Sequence, residues 1–70
     1  MKLFMASWCT YCQPVKELIK NKGLDVQLLD IDHSFELASQ YSIKQIPALV
    51  LDDDTVMLES LEIMRYLETL

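Results

Sequence analysis

Two short apolar runs, Met1–Ala6 (MKLFMA) and Val26–Ile31 (VQLLDI), enclose a segment with the hydrophobic period of a helix. That order constrains the fold more than any other feature. Each run has the length of a buried strand, and Ser7 closes the first. Between them Cys12, Val15, Leu18 and Ile19 share one helical face, with Lys16 and Lys20 opposite. Pro14 falls in the first turn, where a missing N–H is tolerated, and Gly23 supplies a stop. A strand, a helical crossover and a second strand pair in parallel, because a crossover of this length cannot make a hairpin.

The remaining signals add four elements. Ser34 is placed to cap a short helix through Tyr41, with Phe35, Ala38 and Tyr41 as inward residues. Ala48–Leu51 and Thr55–Leu58 flank Asp52-Asp53-Asp54, a hairpin whose turn is acidic because Asp bonds its own backbone. Ser60 is placed to cap a last helix, with Glu59 and Glu62 near its positive end and Ile63, Leu67 and Leu70 on one stripe. The predicted order is β-α-β-α-β-β-α, an α/β class with a four-stranded mixed sheet flanked by helices, as a single domain over residues 1–70. A core of this size supplies only roughly 3–5 kcal/mol, so its large apolar residues are committed to packing.

Eleven acids against six bases give a net charge of −5, which argues against binding a phosphate backbone. Lys16, Lys20 and Lys22 read as a solvated helix face, and Asp52–Asp54 as a polar turn. The first apolar run stops at Ser7, short of a signal sequence, and no run approaches the ~18 residues that span a bilayer. The expectation is a mature, monomeric, cytoplasmic chain with neither nucleic acid nor membrane as partner.

The only two cysteines lie in Trp8-Cys9-Thr10-Tyr11-Cys12. A helix starting around Thr10 presents both sulfurs on one side of its first turn, close enough to form a ring. Cys9 falls where unpaired N–H groups and the positive helix end favour a thiolate, while Cys12 points into the helix and is shielded. Cys9 is therefore the expected nucleophile and Cys12 the resolving thiol. Two other readings stay open. A thiolate pair is half of a zinc site, but no second pair is present and His33 is a single imidazole. The two thiols are otherwise small buried side chains without chemistry. A strand before the pair and a helix after it favour the redox reading, and no metal or bound cofactor is called for.

The segment FMASWCTYC resembles the strand-to-helix active-site segment of the thioredoxins, and YSIKQIPALVL, Tyr41–Leu51, is similar to their second signature, an Ile-Pro dipeptide before a central strand. The short chain and the Tyr within the pair look more like the glutaredoxins, so the whole chain resembles a minimal member of the thioredoxin superfamily. The resemblance implies a minimal thioredoxin-like fold and a cis Ile46–Pro47 peptide set against Cys9. It implies that Trp8, Thr10 and Tyr11 rim the site and that Gln45, Ile46 and Pro47 meet an extended substrate. It further implies disulfide-bearing protein substrates, ribonucleotide reductase among them, with thioredoxin reductase as electron donor and glutathione as the alternative.

The chain departs from both patterns. Where thioredoxins carry a buried acid and its lysine partner, this sequence has Leu3 and Leu28, so no internal base awaits Cys12. Where glutaredoxins place a lysine and a Gly-rich turn for glutathione, it has Ala6 and Met57-Leu58-Glu59-Ser60. The function expected is a thiol-disulfide oxidoreductase reducing protein disulfides; the alternatives are a glutathione-dependent glutaredoxin and a redox-inert interaction module.

Overall fold

The computed structural model describes residues 1–70 and contains, in chain order, β1 (Lys2–Met5), α1 (Cys12–Lys22), β2 (Gln27–Asp30), α2 (Phe35–Gln40), β3 (Ala48–Val50), β4 (Val56–Met57) and α3 (Ser60–Glu68). The strands form one sheet in the order β2-β1-β3-β4. β1 and β2 run parallel, with Leu3 opposite Leu28 and Phe4 opposite Leu29. The β1–β3 and β3–β4 pairs are antiparallel. This is the mixed four-stranded α/β architecture of a minimal thioredoxin-like fold.

Alternation along the strands divides the core in two. Leu3 and Met5 of β1 and Leu49 of β3 face Val15 and Ile19 of α1 and Ile63 and Leu67 of α3. Phe4 of β1 and Ala48 and Val50 of β3 face the opposite side, against Ala38 of α2 and Ile43. There the Phe4 and Tyr41 rings sit 6.3 Å apart at 57°. Full burial of each of Leu3, Phe4 and Leu49 contributes about 1.5–3 kcal/mol.

Helix α1 ends at Gly23, whose left-handed φ of 62° lets Leu24 N–H return to the Ile19 carbonyl at 3.1 Å. Nearby, Lys22 Nζ donates to the Glu68 carbonyl at 2.8 Å, tying the end of α1 to the end of α3.

Several local expectations are corrected. The strands are shorter than their apolar runs, because Val26 turns onto the Leu24 carbonyl and β4 pairs through only Val56 and Met57. Leu28 is not a core position: it is 45% exposed, since β2 is an edge strand that α1 only partly covers. Neither Ser34 nor Ser60 caps a helix with its side chain. The N-cap of α3 is Glu59, in extended conformation, and its carbonyl receives Ile63 N–H at 2.9 Å. Phe35 points outward and is 70% exposed, because the six-residue α2 meets the core through Ala38 and has no second buried turn. Leu70 is 52% exposed because α3 stops at Glu68, before the stripe reaches it.

Candidate active site

The end of β1 delivers the chain into a tight turn, closed by Cys9 N–H donating to the Ala6 carbonyl at 3.1 Å. Helix α1 then begins at Cys12 rather than near Thr10, the start expected from the sequence. Pro14 accounts for the delay: it has no N–H with which to bond the Thr10 carbonyl, so the first turn closes instead through Cys12 N–H to Cys9 and Gln13 N–H to Thr10, both at 3.3 Å. The N–H groups of Thr10 and Tyr11 take no backbone acceptor, which leaves two donors at the turn.

Both cysteines are free thiols, and Cys12 Sγ donates to Cys9 Sγ across 2.6 Å. Their surroundings differ. Cys9 is 7% exposed and its sulfur lies 4.0 Å from the Ile46 carbonyl oxygen, at the edge of the core. Cys12 is fully buried on the inner face of α1, among Leu3, Val15 and Ile63. Burial pushes the Cys12 thiol up from 9.0 to about 12, with the hydrogen bond to Cys9 acting in the same direction. The Ala6 backbone N–H and the Lys16 ammonium pull it down without reversing that. No buried polar or charged side chain exists in the core, and Leu3 fills the space where an acid would have to stand. A proton leaving Cys12 therefore has no internal acceptor other than Cys9.

The Ile46–Pro47 peptide is cis, with Pro47 buried and Ile46 half-buried beside Cys9. The chain reaches this turn from α2 through Ser42, whose positive φ of 57° drops Ile43 into the core and leaves Lys44 and Gln45 exposed. On the other side, Trp8, Thr10 and Tyr11 are exposed around the sulfurs. Thus Trp8, Cys9, Tyr11, Cys12, Ile46 and Pro47 converge, while Gln45 lies on the cavity wall beyond Ile46 and Thr10 faces solvent.

Two concavities flank the turn. One of about 680 Å³ lies between Trp8, Phe35 of α2 and Lys44–Ile46. The other, of about 210 Å³, lies between Tyr11, Ile46–Pro47 and Glu59–Ser60 at the start of α3. Phe35, an inward residue by its spacing, and Glu59–Ser60, a helix start, line these concavities, and Asp32 and Gln13 carry no local sequence signal for the site. Asp32 accepts a hydrogen bond from Trp8 Nε1 at 3.1 Å and is itself held by a turn, its N–H bonded to Asp30 Oδ1 at 2.9 Å. No local pattern carries these relations, which join positions far apart along the chain. His33 is exposed on the loop after β2, and no group of three or more His, Cys, Asp or Glu side chains converges as a metal site. No helix is long and apolar enough to cross a membrane.

Comparison with known proteins bears on the family. Residues 3–70 match the family described as glutathione S-transferase, N-terminal domain. The chain is also similar to Thioredoxin-1 of Caenorhabditis elegans, at 30% identity over 64 residues. That alignment covers 84% of this chain and 56% of the relative, so the chain spans about half the length of the curated protein it matches. The chain belongs to the thioredoxin superfamily.

Proposed function

We propose that the chain is a thiol-disulfide oxidoreductase that reduces disulfides in proteins. Cys9 attacks one sulfur of the substrate disulfide; a Cys9–substrate bond forms and the other substrate sulfur leaves as a thiolate that takes up a proton. Cys12 then loses its proton and attacks Cys9, forming Cys9–Cys12 and releasing the second substrate thiol. The substrate gains two electrons and two protons, and the chain ends as a disulfide that a separate reductant must restore. The observation that carries this reading is the pairing of two thiols within 2.6 Å, both buried, Cys9 at the edge of the core under the turn and Cys12 deeper inside it. Ile46 and Pro47 border the surface sulfur, where an extended substrate backbone has room to lie, with Trp8, Thr10, Tyr11 and Gln45 around it. A reductase that cycles between dithiol and disulfide suits a reducing compartment such as the cytoplasm.

Thioredoxin reductase is the proposed electron donor. A second reading, with glutathione as donor, is favoured by the cavity of about 210 Å³ between Tyr11, Pro47 and Ser60 and by the name of the matching family. Against it, the lining of that cavity holds no cation for a carboxylate. The deciding experiment follows NADPH consumption during insulin-disulfide reduction, with thioredoxin reductase in one arm and glutathione plus glutathione reductase in the other. Faster turnover in the first arm is expected, and turnover only in the second selects glutathione. No turnover in either, with partner binding kept after both cysteines become Ser, selects the interaction module.

A further inference from the structure

The turn that carries Cys9 is held from outside the reacting pair. Gln13 lies one residue beyond Cys12, yet its side chain folds back over the exposed side of the turn. Its Nε2 donates to the Ser7 carbonyl at 3.2 Å and to the Cys9 carbonyl at 3.3 Å. A side-chain amide NH2 has two hydrogens, and both are used. The two carbonyls belong to the residues on either side of Trp8. Fixing them fixes the direction in which Trp8 and Cys9 leave the turn.

Core packing does not demand this contact, since Gln13 is exposed while Cys12, Val15 and Ile19 do the packing for α1. Nor is it a strong source of stability: ordering a long amide side chain costs about as much as two exposed neutral hydrogen bonds return. What the contact supplies is geometry. Without it, the backbone of the Ser7–Cys9 segment keeps only the turn bond from Cys9 N–H to Ala6 and the bond from Cys12 N–H to the Cys9 carbonyl, and the side chain of Trp8 its bond to Asp32.

We propose that Gln13 is a positioning residue for Cys9, its amide NH2 stapling the Ser7–Cys9 turn to the start of α1 and so holding the sulfur against Ile46 and Cys12. The assignment rests on the reading of Cys9 as the attacking thiol. The donors to the two carbonyls carry it, and a charge introduced beside the sulfur adds its own effect, so side chains are ranked by both. Gln13→Lys keeps a group able to bond both carbonyls. Gln13→Ala removes the staple. Gln13→Glu keeps the shape but sets a carboxylate against two carbonyl oxygens and beside the sulfur that must become an anion.

The test is the rate of Cys9 alkylation by iodoacetamide between pH 5 and 10 on the reduced full chain, with modification located by mass spectrometry and the thermal midpoint followed by circular dichroism. At pH 7, Gln13→Glu is expected to slow Cys9 alkylation about tenfold, with the pH profile displaced upward by about one unit. Gln13→Ala is expected to slow it roughly threefold, and Gln13→Lys, which keeps donors and sets a cation beside the sulfur, to match or exceed the wild-type rate. Thermal midpoints should stay within a few degrees in all three. A wild-type profile for Ala would overturn the proposal, since slowing by Glu alone is the effect of its charge, as would a Lys variant as slow as Glu. So would slowing that tracks loss of the folded state and nothing else. If Gln13→Glu does not fold, the Lys and Ala variants decide by the same ranking. Alkylation needs no disulfide substrate, so a wild-type chain that alkylates first at Cys9 yet reduces no disulfide overturns the functional reading while the Gln13 ranking is still read.

Discussion

Cys9 sits on a turn whose neighbours Trp8, Thr10 and Tyr11 face solvent, whereas Cys12 opens a helix whose inner face continues through Val15 and Ile19 into the core. Two residues lie between the cysteines and 2.6 Å separates their sulfurs, but one lies at the edge of the core with unpaired N–H groups in its turn and the other is among Leu3 and Ile63. In the proposed reaction the turn carries the thiol that meets substrate, at the edge of the core with exposed neighbours on either side. The helix makes one that only Cys9 can reach, held protonated by its surroundings up to about pH 12. A single local device, a helix delayed by Pro14, separates the two roles.

The largest expected effect comes from deleting the outer of the two thiols. Cys9→Ser is expected to lower insulin-disulfide reduction by roughly a thousandfold or more, because a hydroxyl at neutral pH does not replace a thiolate. Activity within tenfold of the wild type would mean that Cys12 attacks unaided, and the contrast between turn and helix would fall.

Next is the missing acid. Leu3→Asp sets an unpaired carboxyl in a core that has no polar partner for it, which should cost about 3–5 kcal/mol in urea unfolding. In the molecules that stay folded it also gives Cys12 a nearby proton acceptor, so a Cys9 mixed disulfide should resolve faster per folded molecule. An unchanged lifetime would show that proton loss from Cys12 does not limit the second step.

The pH dependence follows from the same burial. Below about pH 12 the Cys12 thiolate fraction rises about tenfold per unit, so resolution of the mixed disulfide should accelerate by that factor across pH 6 to 9 in stopped-flow measurements. For stability, a thiol raised from 9.0 to about 12 binds its proton more tightly when folded than when unfolded. Its contribution is complete below about pH 9 and lost as pH rises toward 12, so the urea midpoint should fall over that window and fall less in Cys12→Ser.

The smallest effect lies at the far end of the molecule. Asp53 in the β3–β4 turn is held below its usual carboxylate range by the Thr55 hydroxyl and then by Thr55 N–H, which bonds Oδ1 at 3.0 Å. Its contribution is present above pH 3.8 and is lost as pH falls through the depressed value. Asp53→Ala should therefore flatten the acid side of the stability profile slightly and leave Cys9 alkylation unchanged. A changed alkylation rate would join the two ends of the sheet in a way the packing does not suggest.

Much of this was legible in the sequence because local periods carried it. The change from strand to helix period around Cys12 fixed β1, α1 and β2, and the cysteine spacing fixed the pair. Errors arose where position in the sheet decides. Leu28 belongs to an apolar run, but nothing local says that β2 is the edge strand. Phe35 and Leu70 have helical spacing, but α2 and α3 end before that spacing meets the core. Around the site, the bonds from Trp8 to Asp32 and from Gln13 to Ser7 depend on where loops meet, and the approach of Glu59–Ser60 to Pro47 depends on α3 crossing back to the start of β3.

The division of labour between the sulfurs is tested most directly by trapping. Reduced Cys12→Ser and reduced Cys9→Ser proteins are each exposed to a peptide disulfide at neutral pH, acid-quenched, and mapped by non-reducing mass spectrometry. The expected result is a stable adduct on Cys9 of the Cys12→Ser protein and essentially none on Cys12 of the Cys9→Ser protein. An adduct forming on Cys12 as fast as on Cys9 would contradict the account.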